Sequence, residues 1–268
     1  MSVANTTTAP AANPQTTFLP IKIVETFSND TGSADMELTG IGEDSREYAI
    51  KQSIPALPYI PAVELFCYEL CRLLRLPVPR YEIVSLPDGS TAFGSQWDGG
   101  AVQNRAQDCL QHWIMNEVDE TYRLFEIIGR IYGLDLFVNN IDRHWNNYLV
   151  VKNRNTFSTL AFDFGRALFN MPNKGFAGFD TFRVKEPLFA NTGLWQLAFV
   201  QHNFHVHEEA ERTLDEIAAI DKNQIEWILD KIPLEWLPQE IRQDYLDWWG
   251  TKEFNTRIDE LKSRGLAQ

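Results

Sequence analysis

Asp142, Asn147 and Asp163 stand in an order that suits phosphoryl transfer. Asp142 and Asn147 share a polar loop. An apolar stretch at 148–151 follows, then a polar turn at 152–155, then a second apolar stretch ending at Asp163-Phe164-Gly165. Moving a γ-phosphoryl group asks two things of a protein: to align the attacking hydroxyl and to neutralise charge on the phosphate oxygens. A carboxylate accepting the hydroxyl proton does the first, and Asp142 is assigned that hydroxyl-orienting or general-base role. Mg²⁺ does the second. It takes hard oxygen ligands and keeps several waters, so one carboxylate and one amide oxygen suffice when ATP supplies the rest. Asn147 and Asp163 are the expected metal ligands. Two strands joined by a turn would return both residues to the same end of a hairpin.

Elements on either side must hold this loop. Residues 117–138 carry a helical pattern through Val118, Tyr122, Phe125, Ile128, Tyr132 and Phe137, and lead straight into it. Upstream, 18–27 alternates around Ile21, Ile23 and Val24, and 47–50 repeats a short strand pattern before Lys51. A lysine at a strand end can snorkel to solvent. It can also reach the α- and β-phosphates when a carboxylate on the next helix holds it. That helix starts near Pro61 and runs to about Leu74, with Val63, Phe66, Cys67, Leu70 and Cys71 on an apolar stripe. Glu64 and Glu69 are both candidates for the partner carboxylate, and both also suit a solvated helix face. The connection 28–46 contains Gly32, Gly40 and Gly42, making it a candidate phosphate cover, with Thr31, Ser33 and Ser45 as candidate autophosphorylation sites. Strands at 80–86 and 91–96 flank a tight turn, and Trp97-Asp98-Gly99-Gly100 reads as a hinge. Ser95, Gln96 and Trp97 are therefore expected in the nucleotide pocket. The segment 170–179 would face an acceptor. Amphipathic helices are expected at 208–220, 223–232, 239–249 and 254–261, with Trp227, Trp236, Trp248 and Trp249 in the core.

The run Asn140-Ile-Asp142-Arg143-His144-x-x-Asn147 with Asp163-Phe164-Gly165 resembles the HipA-like kinases. More distantly it resembles the phosphatidylinositol 3- and 4-kinases. Tyr48 to Lys51 is similar to a Tyr-x-x-Lys strand of the HipA-like family. Counting back from Leu76-Pro77-Val78-Pro79, which that family also carries, puts Glu64 at the family's Glu position. The resemblance implies an α+β, two-lobed protein-kinase-like fold, with a small β-rich N-lobe over 17–97 and a larger, mostly helical C-lobe over 98–268. Residues 1–16 would be a flexible tail. It further implies ATP and Mg²⁺ as cofactors and transfer to a Ser or Thr of a protein substrate. Some family members are the toxin half of a toxin–antitoxin pair, which would bring an antitoxin partner. His144 would orient the hydroxyl, stabilise transition-state charge, or pack on the Asp163 loop as a donor, and Arg143 would fix Asp163 or a phosphate. Ordinary eukaryotic-type kinases carry His-Arg-Asp here and a later Ala-Pro-Glu, and this chain has neither arrangement. The rival functions are a lipid or small-molecule kinase and a nucleotide-binding pseudokinase.

The 268 residues, 44% hydrophobic and 23% charged, suffice for a substantial core. A net charge of −13 argues against direct nucleic-acid binding and against anionic membranes, both of which need clustered Lys and Arg. Three cysteines cannot all pair within one chain, no run is long enough to span a membrane, and residues 1–16 hold neither a positive charge nor an apolar run. A cytoplasmic protein is the expectation. His202, His205 and His207 cluster in sequence, but their spacing fits no common zinc pattern.

Overall fold

Strand pairing begins with a chain that folds back on itself and then closes. In the computed structural model, which describes residues 19–28, 38–96, 106–116, 121–140, 142–153, 156–170 and 206–266, five strands form a closed barrel in the order β1-β2-β3-β5-β4. These are β1 (Ile21–Ser28), β2 (Leu38–Gly42), β3 (Glu47–Lys51), β4 (Tyr81–Ser85) and β5 (Thr91–Gln96). The antiparallel pairs follow from sequence neighbours and tight turns. Closure does not: β1 meets β4 in parallel, pairing Ile21 with Val84 and Lys22 with Ser85.

The interior of so small a barrel is filled by Ile23, Tyr48, Ile50, Val84, Leu86 and Ala92. Glycines make room for them. A Cβ on Gly40 would come 2.7 Å from Ile23 Cγ2, and one on Gly94 would come 2.6 Å from Val84 Cγ1. Gly40 and Gly42, expected in a loop that was a candidate phosphate cover, lie within β2, where close packing requires them, and 29–37 of that connection lie outside the described residues. Val24 also differs from expectation. The register shifts between Ile23 and Glu25, and this bulge turns Val24 outward to 58% exposure while Ile23 stays buried.

Helix α1 (Ile60–Leu73) packs on the outer face of the barrel and is buried along nearly its whole circumference. Its sequence suggested one apolar stripe. Later helices cover the other sides: α5 (Lys222–Lys231) and α6 (Gln239–Trp248) lie against it, with Phe66 edge-on to Tyr245 at 5.3 Å. Lys231 reaches Glu69 at 2.5 Å. The loop after α5 also returns to the barrel, where Trp236 Nε1 donates to Thr91 Oγ1.

Helices α2 (Ala106–Asn116) and α3 (Thr121–Val138) precede the β6 (Tyr148–Asn153) and β7 (Thr156–Ala161) hairpin. Helix α4 (Val206–Ala218) crosses α3 at close range because Gly129 and Gly133 lack side chains there. A Cβ on Gly129 would sit 2.6 Å from the Val206 carbonyl, and one on Gly133 would strike that of Ala210. Helix α7 (Lys252–Glu260) completes the bundle, and its Arg257 donates to the Leu136 and Phe137 carbonyls at the end of α3. Among the described residues no helix is long and apolar enough to cross a membrane. Trp236 and Trp249 are core residues, whereas Trp227 is 42% exposed beside Lys231 and Arg72.

Candidate active site

Lys51 is the last residue of β3 and is only 4% exposed. Strand alternation sets its direction. Lys51 is paired with Phe93 and Ala49 with Ser95, so these four share the face that packs on α1, while Tyr48, Ile50, Gly94 and Gln96 share the barrel face. The Lys51 ammonium lies 2.8 Å from Asp163 Oδ1 and 4.0 Å from Glu64 Oε1. A buried lysine requires such partners.

Glu64 and Glu69 are both 1% exposed, so neither sits on a solvated face, and their partners separate their roles. Glu69 turns to Lys231 and Arg72, away from Lys51. Glu64 faces Lys51 and accepts a 3.0 Å hydrogen bond from the Phe164 amide. Burial pushes the Glu64 carboxyl up to about 8; Lys51 pulls against this, and the charge of Asp163 adds to it. Burial works on Asp163 in the same sense, but the Lys51 charge and hydrogen bond outweigh it and hold that carboxyl below its ordinary value. One ammonium thus serves the buried Glu64 carboxyl and the part-buried Asp163, and Asp163 has the larger share.

Asp163 adopts φ 61°, in the left-handed region that Asp tolerates better than most residues. This turns the chain so that Phe164 points into the core, edge-on to Tyr68 at 6.0 Å. Tyr68 in turn packs on Tyr81 and Phe93, and its hydroxyl meets Ser95 at 3.2 Å. A continuous aromatic stack therefore joins the Asp163 turn, α1 and the barrel.

The loop from Asp142 to Asn147 is built on a second buried cluster. Helix α3 ends at Asn139, which takes φ 52°. Asp135, in the last turn of the helix, accepts two bonds from the Arg143 guanidinium and one from Asn140 Nδ2. Arg143 Nη1 also donates to the carbonyls of Asn147 and Phe162, at 2.6 Å each. The guanidinium lies between the rings of Tyr148 and Phe164. Burial pushes the Asp135 carboxyl above its ordinary value, against the Arg143 charge and the hydrogen bonds from Arg143 and Asn140. Arg143 was expected among the catalytic residues. It is fully buried, so it is a positioning residue that clamps the loop to the end of the hairpin rather than a group that meets substrate.

The clamp brings the expected metal ligands together. The hairpin register pairs Tyr148 with Ala161, so Asn147 lies opposite Phe162, next to Asp163. Asn147 Nδ2 donates to the Asp142 carbonyl at 2.6 Å, which leaves Oδ1 as its atom for a cation. The Asp142 carboxylate is 40% exposed and lies 3.4 Å from Arg166 Nε. Its amide is held by Asn140 Oδ1. His144 is exposed beside the site, and its charge contributes to holding Asp163 down.

The remaining expected pocket residues divide. Ser95 is on the Lys51 face, spending its hydroxyl on Tyr68. Gln96 pairs with Tyr48 on the other face, so its side chain turns from the Lys51 face, and its backbone N–H donates to the Arg80 carbonyl. Trp97, the hinge, Thr31, Ser33 and residues 171–179 lie outside the described residues. Sequence reasoning missed Asp135, Asn140, Arg166 and Asn170. Asp135 had a visible signal, a lone carboxylate inside the apolar run Leu134 to Val138; the other three are ordinary polar loop residues, Asn140 meeting near neighbours and Asn170 reaching the distant Tyr59.

No family model and no curated protein matches the sequence. Solved structures do match the fold. Among them is the crystal structure of a Helicobacter pylori proinflammatory kinase, CtkA, at 15% sequence identity and a TM-score of 0.56, over 92% of this chain and 98% of that one. Identity so low carries the fold alone. The chain has a mixed α and β, kinase-like fold.

Proposed function

We propose that this protein is an ATP- and Mg²⁺-dependent kinase of the HipA-like kind, acting on Ser or Thr hydroxyls of a protein substrate. The barrel with α1 is read as the small lobe and the remaining helices with the hairpin as the large one. The observation that carries this reading is the convergence of Lys51, Glu64 and Asp163 from three separate elements into one buried cluster. Asp163, the more exposed of the two carboxyls, would be the one to meet a divalent cation.

The donor set fits Mg²⁺: Asp163 and the Asn147 amide oxygen offer hard oxygens at the same end of the β6–β7 hairpin, and a nucleotide would complete the shell. When bound, the metal neutralises charge on the phosphate oxygens. Lys51 then has a second task, binding the phosphates while Glu64 fixes its direction. Asp142, exposed at the mouth and held through its own amide and carbonyl, orients the acceptor hydroxyl and takes its proton. Arg166 steadies that carboxylate. His144, exposed on the same loop, is placed to orient the hydroxyl.

The test is transfer of labelled γ-phosphate from Mg-ATP by wild type, Asp142→Ala and Asp163→Ala, in a lysate separated into protein, lipid and small-molecule fractions. Label in protein that both variants lose is the expected result. Label confined to the other fractions would make the protein a lipid or small-molecule kinase, and nucleotide binding with no transfer would make it a pseudokinase.

A further inference from the structure

Helix α1 begins without a cap of its own. Tyr59 occupies the N-cap position, where Ser, Thr, Asp or Asn would normally accept from the first turn, and its side chain makes no such bond. Helix starts leave backbone donors without partners, and these must be met elsewhere. The Tyr59 amide donates to Asn170 Oδ1 at 2.8 Å. The other half of the same amide, Asn170 Nδ2, donates to the Gly165 carbonyl at 2.8 Å. Asn170 is 3% exposed, and its own amide donates to Ala167.

We propose that Asn170 is a positioning residue, a latch that holds the start of α1 on the Asp163-Phe164-Gly165 turn and so keeps Glu64 and Asp163 on Lys51. The same two segments are joined by a bond of opposite sense, from the Phe164 amide to Glu64 Oε1. One bond lies at the start of α1 and the other about one turn along it, so together they fix both the distance and the rotation of the helix relative to the turn. Either bond alone would act as a pivot. With both, Glu64 cannot swing from Lys51 without breaking a buried contact, and such contacts are costly to leave unmade. The idea deepens the kinase reading and rests on it for its effect on catalysis; the latch itself is a matter of geometry.

The latch is tested by hydrogen exchange on the full chain without nucleotide. Asn170→Ala removes both bonds and is expected to speed exchange about tenfold at 59–64 and at 163–168, as loss of a buried hydrogen bond implies, with α3 and α4 unchanged. Asn170→Asp keeps an acceptor for Tyr59 and loses the donor to Gly165, so only 163–168 should speed up. No change at either segment in Asn170→Ala, or an equal rise across all helices, overturns the proposal. In the transfer assay the alanine variant should lose about tenfold in kcat and show a higher KM for Mg-ATP, with partial recovery in the aspartate variant. A wild type that binds no Mg-ATP would refute the kinase reading, while the exchange data would still decide the latch.

Discussion

Two ionic clusters sit side by side in this protein, and they compensate their carboxyls differently. Around Asp135, one carboxylate meets one guanidinium, and the guanidinium has further acceptors in the Asn147 and Phe162 carbonyls. Around Lys51, one ammonium faces both Glu64 and Asp163. The first cluster is closed and serves as structure. In the second, Lys51 helps hold Asp163 below its ordinary value while burial raises Glu64 to about 8, and Asp163 is the more exposed of the two carboxyls. The difference separates a brace from a cluster with one accessible carboxylate.

The contrast can be broken from either side. Arg143→Ala should leave Asp135 buried and unpaired and cost about 3–5 kcal/mol, measured as a drop in the urea midpoint. Arg143→Lys should recover little of this, since an ammonium cannot reproduce the fork to Asp135 and both carbonyls. A midpoint within experimental error of wild type would show that the cluster is not a brace. Asp163→Ala is expected to do the opposite: it leaves Lys51 paired with Glu64, so the midpoint should move little, while phosphoryl transfer falls by at least about a hundredfold. A variant equally damaged in both readouts would erase the distinction.

A smaller effect is expected where neither cluster is involved. Gly133→Ala should lower stability by about 1–3 kcal/mol through overpacking against α4, despite the better helix propensity of alanine. Thermal unfolding would measure it, and a stabilised variant would show that α4 can give way.

The pH dependence sharpens the comparison most finely. Burial holds the folded Glu64 carboxyl at about 8, above its unfolded value, so the fold takes up a proton across that interval. Its contribution to stability is complete below the ordinary glutamate range and is lost as pH rises toward 8. Asp163, held below its ordinary value mainly by Lys51 acting against burial, contributes above the ordinary aspartate range and loses that contribution as pH falls. Glu64→Gln should therefore flatten the decline in unfolding temperature between about pH 5 and 8. An unchanged slope in that variant would mean that Glu64 is ionised throughout and fully matched by Lys51.

The loop at 142–147 and the hairpin after it were legible because their signals are local. Asp142, Asn147 and Asp163 are separated by a polar loop, two apolar strands and a turn, and such short segments reveal themselves in composition. The helix leading into the loop was legible for the same reason over Thr121–Val138, while 117–120 lie outside the described residues. Strand β2 was not, since Gly40 and Gly42 read as a loop until the barrel that crowds them is known.

The sequence by itself determined the order of chemistry-bearing residues and the elements that carry them, because helix and strand periodicity and turn propensity act within a few residues of chain. The residue pattern left Glu64 and Glu69 both open, the family resemblance pointed to Glu64, and the tertiary structure shows which surfaces meet. Glu64 rather than Glu69 meets Lys51, because the turn after β7 packs on one side of α1 and Lys231 of α5 on another. Gln96 turns from the Lys51 face because strand register, not composition, assigns faces. Arg143 disappears into the core because Asp135 waits there, and Asn170 caps a helix from a turn more than a hundred residues away in the chain. Each of these depends on which surface meets which, and no local pattern encodes that.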